Sequence, residues 1–160
     1  MVRNSGKKPK DVMKYSLWLL QYRPRSVAEL REALRKKQFT AEEIDPTLEK
    51  LLDWGYLDDA KYTEYLIHSR KTQNVKGRAF VARELQQRGV DSDELDSLYS
   101  DEEECELIAN LIAKWQRQGV AFRRDKYFRR LASRGFAIGN IFACLDDAAP
   151  TEEDPDYEDY

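Results

Sequence analysis

Apolar residues recur every three or four positions along most of this 160-residue chain, and short polar turns interrupt them. This period is that of an amphipathic helix with one face turned toward a core. The same apolar positions return, without gaps, in three successive segments. They are Leu30, Leu34, Phe39, Ile44 and Leu48, then Val81, Leu85, Val90, Leu95 and Tyr99, then Tyr127, Leu131, Phe136, Ile141 and Leu145. The pattern therefore predicts a repeated helical unit.

Each copy also has a leading helix of its own, so the predicted unit contains three helices. Units of this size bury little apolar surface alone, and neighbouring units should therefore stack. We predict an all-α protein, an elongated and curved array of three tandem three-helix repeats with nine helices. The predicted boundaries are a disordered basic arm at 1–10, repeats at 11–54, 55–100 and 101–146, and a disordered acidic tail at 147–160.

Helix starts are marked by capping boxes, in which a short polar side chain and an acid three residues later satisfy each other's backbone amides. The predicted boxes are Ser26 with Glu29, Thr40 with Glu43, Asp91 with Glu94, and Asp101 with Glu104. Pro46 leaves two starts open for the third helix, because a proline inside a helix removes a hydrogen bond. The repeat register favours Thr40 over Asp45 as the cap, with a kink at Pro46.

The stretch from 51 to 65 closes the first unit and opens the second. Gly55 suits the left-handed position just past a helix end, and Asp58 is the expected N-cap of the next helix. Leu57 and Tyr62 are then spaced to pack as a hydrophobic staple. The predicted inter-repeat hinge consists of Gly55, Tyr56, Leu57, Asp58, Asp59 and Tyr62.

The net charge of −3 averages two regions of opposite sign. Residues 146–160 contain eight acids and no Lys or Arg, which leaves 27 bases against 22 acids in the rest of the chain. A basic body of this kind favours a polyanionic partner, either phosphates or an acidic protein surface. The acidic tail has two interpretations: a solubilising end, which its composition favours, or a mimic of nucleic-acid charge that competes for the basic face.

Basic residues crowd the second helix of each unit. Lys126, Arg130 and Arg134 fall on one stripe, and we expect both arginines to be exposed. One position is basic in every copy, as Lys37, Arg88 and Arg134, and a cation there either complements the helix dipole or contacts a partner. The predicted partner-binding or DNA-binding residues are Arg23, Arg25, Arg31, Arg35, Lys36, Lys37, Arg70, Lys71, Lys76, Arg78, Arg83, Arg88, Arg123, Arg124, Lys126, Arg130 and Arg134.

The sequence offers little for catalysis. His68 is the only histidine, and no cysteine, serine or acid pair is spaced with it as a nucleophile or metal site requires. Cys105 and Cys144 occupy apolar helix positions and are expected to be reduced core thiols. Without a phosphate loop, secretory signal or membrane-spanning run, we expect a cytoplasmic protein that is not an enzyme and has no cofactor, metal or membrane partner.

Four stretches of the chain resemble the RecX family, the regulators of the bacterial RecA recombinase. They read RSVAELREALRKKQF in the first repeat, DWGYLDDAKYTEYLIHSR at the hinge, RELQQRGV in the second repeat and RRLASRGF in the third. Together they mark a resemblance that extends over residues 11–145. The chain departs from the family at residues 73–78, where the basic turn lacks a proline, and in the acidic tail.

The resemblance implies three three-helix repeats that bind RecA filaments on single-stranded DNA. It further implies restraint of recombination, ATP hydrolysis and SOS co-protease activity without catalysis by the regulator itself. We expect a monomer lying along the filament groove, with weak direct contact to DNA as an additional expectation. The competing hypothesis rests on the basic second helices and is a repeat protein that binds DNA directly, without a recombinase partner.

Overall fold

The structure is a computed structural model that describes residues 9–149 of the chain. Over these residues the backbone forms nine helices and no strand, which confirms the all-α prediction. The helices are α1 (Val12–Tyr22), α2 (Val27–Lys36), α3 (Ala41–Asp53), α4 (Asp59–Thr72), α5 (Arg78–Gln87), α6 (Leu95–Leu98), α7 (Asp101–Arg117), α8 (Arg124–Ala132) and α9 (Ile138–Ala148). None of them is both long enough and apolar enough to cross a membrane.

The predicted N-caps of α2, α3 and α4 are present in the structure. The capping boxes of Ser26 with Glu29 and of Thr40 with Glu43 are both complete. Asp58 caps α4 by accepting hydrogen bonds from two backbone amides, at 3.0 and 3.2 Å. Since α3 begins directly after Thr40 and continues through its internal proline, the repeat register identified the right start.

The second repeat departs from the pattern at its last helix. The predicted capping box of Asp91 and Glu94 does not form, and α6 has a single turn without a side-chain cap. Asp91 instead accepts the backbone amide of Asp93 at 2.9 Å, two residues along the chain. A short polar side chain bonded locally in this way favours a turn over a helix, which explains the late start of α6.

The cap of α7 lies one residue earlier than predicted. Ser100 and Glu103 form the complete capping box, in place of Asp101 and Glu104. Both spacings fit a box, but the Glu104 side chain is completely buried, where it accepts hydrogen bonds from distant residues. The long-range contacts of Glu104 therefore decide between the two caps.

Each repeat surrounds a hydrophobic core of its own. Helices α1–α3 enclose the first core, α4–α6 the second and α7–α9 the third. Every position of the repeated apolar pattern is buried, as the sequence predicts. Burying one such aliphatic side chain contributes about 1.5–3 kcal/mol. Leu107 of α7 packs against both the second and the third core and so links these repeats.

The hinge closes α3 and separates two cores. Gly55 has a φ of 75°, and the amides of Tyr56 and Leu57 both donate to the carbonyl of Leu51, at 2.9 and 3.1 Å. Leu57 belongs to the first core, whereas Tyr62 belongs to the second. The two residues predicted to form a staple are thus both buried, but each anchors a different repeat.

Helix α9 continues past the predicted end of the third repeat and includes Asp147 and Ala148. Ala148 packs against the third core, which accounts for the extra residues of the helix. Residues 150–160 of the predicted tail and residues 1–8 of the predicted basic arm lie outside the described part of the chain.

Candidate interaction surface

The second helices of the three repeats, α2, α5 and α8, are joined end to end. The N-terminus of α2 contacts the C-terminal end of α5, and the N-terminus of α5 contacts the C-terminal end of α8. Both joints use corresponding positions of the repeat pattern. The repetition seen in the sequence therefore extends from the cores to the contacts between repeats.

The first joint satisfies the start of α2 with groups from the second repeat. The Ser26 hydroxyl donates to the backbone carbonyl of Arg88, at 2.6 Å. The first amide of α2, on Val27, donates to the carboxylate of Asp59 in the first turn of α4, at 2.9 Å. Helix-start amides lack partners within their own helix, so Asp59 completes α2 as well as belonging to the predicted hinge.

The second joint repeats this arrangement one unit further on. The backbone amide of Gly77 donates to the carbonyl of Arg134, at 3.0 Å. The first amide of α5, on Arg78, donates to the carboxylate of Glu104 near the start of α7, at 2.8 Å. In both joints a carboxylate from the next leading helix thus caps the preceding second helix.

Glu104 also holds the third helix of its own repeat. Its second carboxylate oxygen accepts the backbone amide of Ala137 at 3.0 Å and the side-chain amide of Asn140 at 2.7 Å. Ala137 is the N-cap of α9 and has no side-chain acceptor of its own. One buried carboxylate therefore completes the starts of both α5 and α9.

Two glycines allow the backbones of the second and third repeats to approach closely at the second joint. A Cβ atom on Gly77 would lie 2.3 Å from the carbonyl oxygen of Gly135. Gly135 has a φ of 80°, and a Cβ there would lie 2.6 Å from backbone and side-chain atoms of Phe80. The corresponding position in the first repeat is Gln38, which has a φ of 65° but is exposed, so a side chain fits there.

Five charged residues form a chain of ion pairs across the first joint. Two hydrogen bonds of 3.0 and 3.2 Å join Arg23 to Glu29, and two of 2.7 Å join Arg70 to Glu84. Arg88 connects the two pairs by contacting Glu29 and, at 3.0 Å, Glu84. The network ties α1 and α2 of the first repeat to α4 and α5 of the second.

Both carboxylates of this network are held in the ionised form. Burial alone raises the pKa of Glu29, but hydrogen bonds from Arg23, the Ser26 amide and Arg88 outweigh it and hold the pKa below its ordinary value of 4.5. The Arg70 hydrogen bonds lower the pKa of Glu84 below the same value, against the effect of burial.

The predicted partner-binding cations divide into two groups. Carboxylates pair with Arg23, Arg31, Lys36, Arg70, Lys71, Arg78, Arg88, Arg123 and Arg124. Within residues 9–149, no carboxylate lies within 4.0 Å of Arg25, Arg35, Lys37, Lys76, Arg83, Lys126, Arg130 or Arg134. Arg35, Arg83 and Lys126 of the second group are exposed, one on each second helix.

Arg130 and Arg134 are half-buried, so the prediction that both are exposed was wrong. Arg130 lies over the ring of Trp115, 5.4 Å from its centroid, where its charge meets the ring face. Arg134 donates to the backbone carbonyl of Val75 in the second repeat, at 2.9 Å. Arg88 and Arg134 are therefore joint residues, a role beyond the dipole and partner interpretations of their shared position.

Two grooves lie between successive second helices. The groove between α2 and α5 has a volume of about 460 Å³ and is lined by three cations and two acids. The groove between α5 and α8 has a volume of about 370 Å³, with Arg83 and Arg88 against Glu84. Each groove thus has an excess of positive charge that extends the row of cations on the helices.

Exposed aromatics on the first repeat were not identified from the sequence. Trp18 is 44% exposed and Tyr22 is 69% exposed, and their rings pack edge to face with centroids 4.7 Å apart. Tyr22 lies three residues after the core residue Leu19 and thus near the same side of α1, so the helical spacing alone did not separate it from core positions.

The remaining titratable groups stand apart from these joints. His68 is exposed on α4. Cys105 and Cys144 are free thiols, and burial, with Cys105 close by, raises the pKa of Cys144 to about 12. In the part of the chain that the structure describes, no group of three or more His, Cys, Asp or Glu residues is arranged to hold a metal ion.

Comparison with known families identifies the first two repeats. The family model for the first three-helix domain of RecX matches residues 13–51, and that for the second three-helix domain of RecX matches residues 58–97. The regulatory protein RecX of Thermobifida fusca is 32% identical over 130 residues, which cover 77% of this chain and 70% of the relative. That of Pelodictyon phaeoclathratiforme is 32% identical over 137 residues, 83% of this chain and 86% of the relative.

Lengths differ among the relatives. The regulatory protein RecX of Photobacterium profundum is 31% identical over 95% of this chain, yet the match spans only 59% of that relative's length. The crystal structure of RecX from Lactobacillus salivarius has the same fold, with a TM-score of 0.74 at 22% identity over 85% of this chain and 93% of that chain. The chain belongs to the RecX family of regulatory proteins.

Proposed function

We propose that the chain is a non-enzymatic modulator that binds RecA nucleoprotein filaments on single-stranded DNA. In this role it inhibits the recombinase, ATPase and SOS co-protease activities of RecA. It acts in the cytoplasm as a monomer and needs no cofactor or metal. Direct contact with DNA phosphates is weak and secondary, and the chain makes no membrane contact.

Membership in a family of regulatory proteins supports a role through binding. In the proposal, the predicted partner-binding cations contact acidic protein surface or DNA phosphate along the filament. The hinge from Gly55 to Tyr62 sets the angle between the first two repeats, and the domain boundaries follow the three cores. The curvature of the array then matches the filament groove.

The row formed by α2, α5 and α8 is the observation that carries the proposal. An exposed ion pair contributes only about 0–1 kcal/mol, so a charged surface binds well only through many contacts made together. The joints hold the three helices in one series, and each helix presents an exposed cation that has no ion pair with a residue from 9 to 149. A filament, whose subunits repeat along its length, offers the matching series of contacts.

Co-sedimentation tests this proposal. Filaments of RecA from the same organism are assembled on single-stranded DNA with a slowly hydrolysed ATP analogue, and the chain is added at increasing concentration. We expect the chain to pellet with filaments at concentrations where it remains in the supernatant with DNA alone or RecA alone. A chain that pelleted equally well with DNA alone would contradict the proposal.

Direct DNA binding without a recombinase is the second candidate, and the composition of α8 and its flanking residues favours it. Residues 123–134 contain six bases and one acid. Binding to phosphates releases counterions, so affinity for DNA alone should fall steeply as salt rises. Tight binding to DNA with such a salt dependence, together with no effect on RecA, would favour this candidate over the first.

A further inference from the structure

The start of α8 has positive charge that the described residues leave largely unneutralised. Residues 123–134 contain six bases and a single acid, Asp125. Asp125 is shared between Arg129, at 3.0 Å, and Arg123, at 4.0 Å. Lys126 is exposed and has no ion pair with a described residue. This surface, formed by Arg123, Lys126 and Arg129, is called the α8 surface below.

The backbone at this end of α8 favours an anion as well. Arg123 occupies the N-cap position and provides no side-chain acceptor for the first amides of the helix. Such amides carry a partial positive charge that adds to that of nearby cations. The α8 surface therefore combines three cations that share a single carboxylate with helix-start amides that no described side chain caps.

The acidic end of the chain leaves the described structure beside this surface. Asp146, in the last turn of α9, forms an ion pair with Arg124 at the start of α8. Residues 150–160 follow within a few positions and contain six acids and no Lys or Arg. Eleven residues can span up to about 36 Å when extended, whereas the nine residues of α8 are about 14 Å long. The acidic segment can therefore reach every part of the α8 surface.

We propose that residues 150–160 bind the α8 surface of the same molecule and shield it from external polyanions. The tether keeps the segment at a high effective concentration, so even weak ion pairs hold it in place. An external polyanion must then displace the segment before it reaches α8. This proposal concerns the free chain and does not depend on the RecA proposal, since its test contains no recombinase.

Cross-linking with a water-soluble carbodiimide tests the contact, because this reagent joins a lysine amine to a carboxylate in direct contact with it. The full chain is treated at low salt, and the monomer fraction is digested and analysed by mass spectrometry. We expect links between Lys126 and the acids at 152–159. Neutralising Arg123 and Arg129 as Arg123→Gln and Arg129→Gln should lower the yield of these links about fivefold, since it removes two ion-pairing partners.

The double variant separates docking from mere proximity. Both substituted side chains are more than 70% exposed, so the fold is retained. If residues 150–160 reached Lys126 only because they are tethered nearby, the yield would not change in the variant, and the proposal would be wrong. Arg35→Gln on α2 is the matched control and should leave the yield unchanged.

Binding of a fluorescent oligothymidine tests the shielding. The variant carries Glu152→Gln, Glu153→Gln, Asp154→Asn and Asp156→Asn in the full chain. At 50 mM salt we expect it to bind the probe about tenfold more tightly than the unmodified chain, and the difference should disappear at about 500 mM salt. Equal affinity of the two proteins at low salt, or no binding by either, would overturn the shielding.

Discussion

Glu104 is a charged residue with no exposed side-chain surface, and it joins two repeats. Its two oxygens accept three hydrogen bonds, from the amides of Arg78 and Ala137 and from Asn140. A buried carboxylate is stable only when its oxygens are satisfied in this way. The sequence predicted that Glu104 belongs to a capping box, whereas in the structure it is the central acceptor of the second joint.

Glu104→Gln should lower the free energy of unfolding by about 2–3 kcal/mol. Glutamine has one acceptor oxygen, and its NH₂ group would face a backbone amide that also donates, which leaves a buried donor unsatisfied. Urea denaturation at neutral pH measures the change. Glu106→Gln, at an exposed position on the same helix, is the control and should change stability by less than about 0.5 kcal/mol. Equal effects of the two changes would show that the joint does not depend on the carboxylate.

Gly135→Ala should destabilise the chain more than Gly55→Ala. Both glycines have a positive φ, 80° and 75°, so alanine costs about 1–2 kcal/mol at either position. A Cβ at Gly135 would also lie 2.6 Å from Phe80, whereas a Cβ at Gly55 would meet no atom within 4 Å other than those of its chain neighbours. Overpacking adds about 1–3 kcal/mol at Gly135 only. Thermal unfolding compares the two variants. Equal losses of stability would mean that the second joint accommodates a Cβ at Gly135 without strain.

At the residue scale, the sequence shows which positions are special but not what they contact. Gly89 and Gly135 each follow the second helix of their repeat, and both have the positive φ of a turn. The sequence could not predict that the turn at Gly135 packs against the preceding repeat, because its neighbour Phe80 is far from it in the chain. The role of Glu104 was missed for the same reason, since its donors lie 26 to 36 residues away.

At the scale of helices, the ion-pair network of Glu29 and Glu84 should make the first joint sensitive to acid. Both carboxylates have a lowered pKa in the folded chain, so their contribution to stability is complete above the ordinary value of 4.5 and is lost as the pH falls below it. The free energy of unfolding should therefore fall between about pH 5 and pH 3.

The double variant Glu29→Gln and Glu84→Gln isolates this part of the acid response. It should be less stable than the unmodified chain at pH 7 and should lose less stability between about pH 5 and pH 3, as measured by urea denaturation. Other carboxylates contribute to the response of both proteins, so the difference between the two curves is the relevant quantity. Parallel curves would contradict the account of the network.

Helix ends could be predicted where the signals are local. Thr40 and Asp58 cap their helices as predicted, because a cap involves residues only two or three positions apart. The length of α6 could not be predicted, since Asp91 can serve a helix or a turn equally well. The partial burial of Arg134 could not be predicted either, because its hydrogen-bond partner, the Val75 carbonyl, belongs to another repeat.

At the scale of the whole molecule, the repeats build one series of second helices rather than three separate units. Periodicity alone predicted the three cores, since each is made from residues close together in the chain. The end-to-end order of α2, α5 and α8 depends on contacts between residues about 60 positions apart in the chain, so only the structure shows it. That order places exposed cations along a common series.

The double variant Arg83→Glu and Lys126→Glu removes exposed cations from two of these helices. Neither residue takes part in a joint, so thermal stability should stay within about 1 kcal/mol of the unmodified chain. Lys50→Glu with Lys61→Glu is the matched control, because it changes the net charge equally at exposed positions on α3 and α4.

The rate of ATP hydrolysis by RecA on single-stranded DNA tests the central claim most directly. The unmodified chain and the Lys50/Lys61 control should lower this rate at amounts below one chain per RecA, and the Arg83/Lys126 variant should need about tenfold more protein for the same inhibition. If the unmodified chain left hydrolysis unchanged while binding DNA alone tightly, its role as a filament modulator would be contradicted.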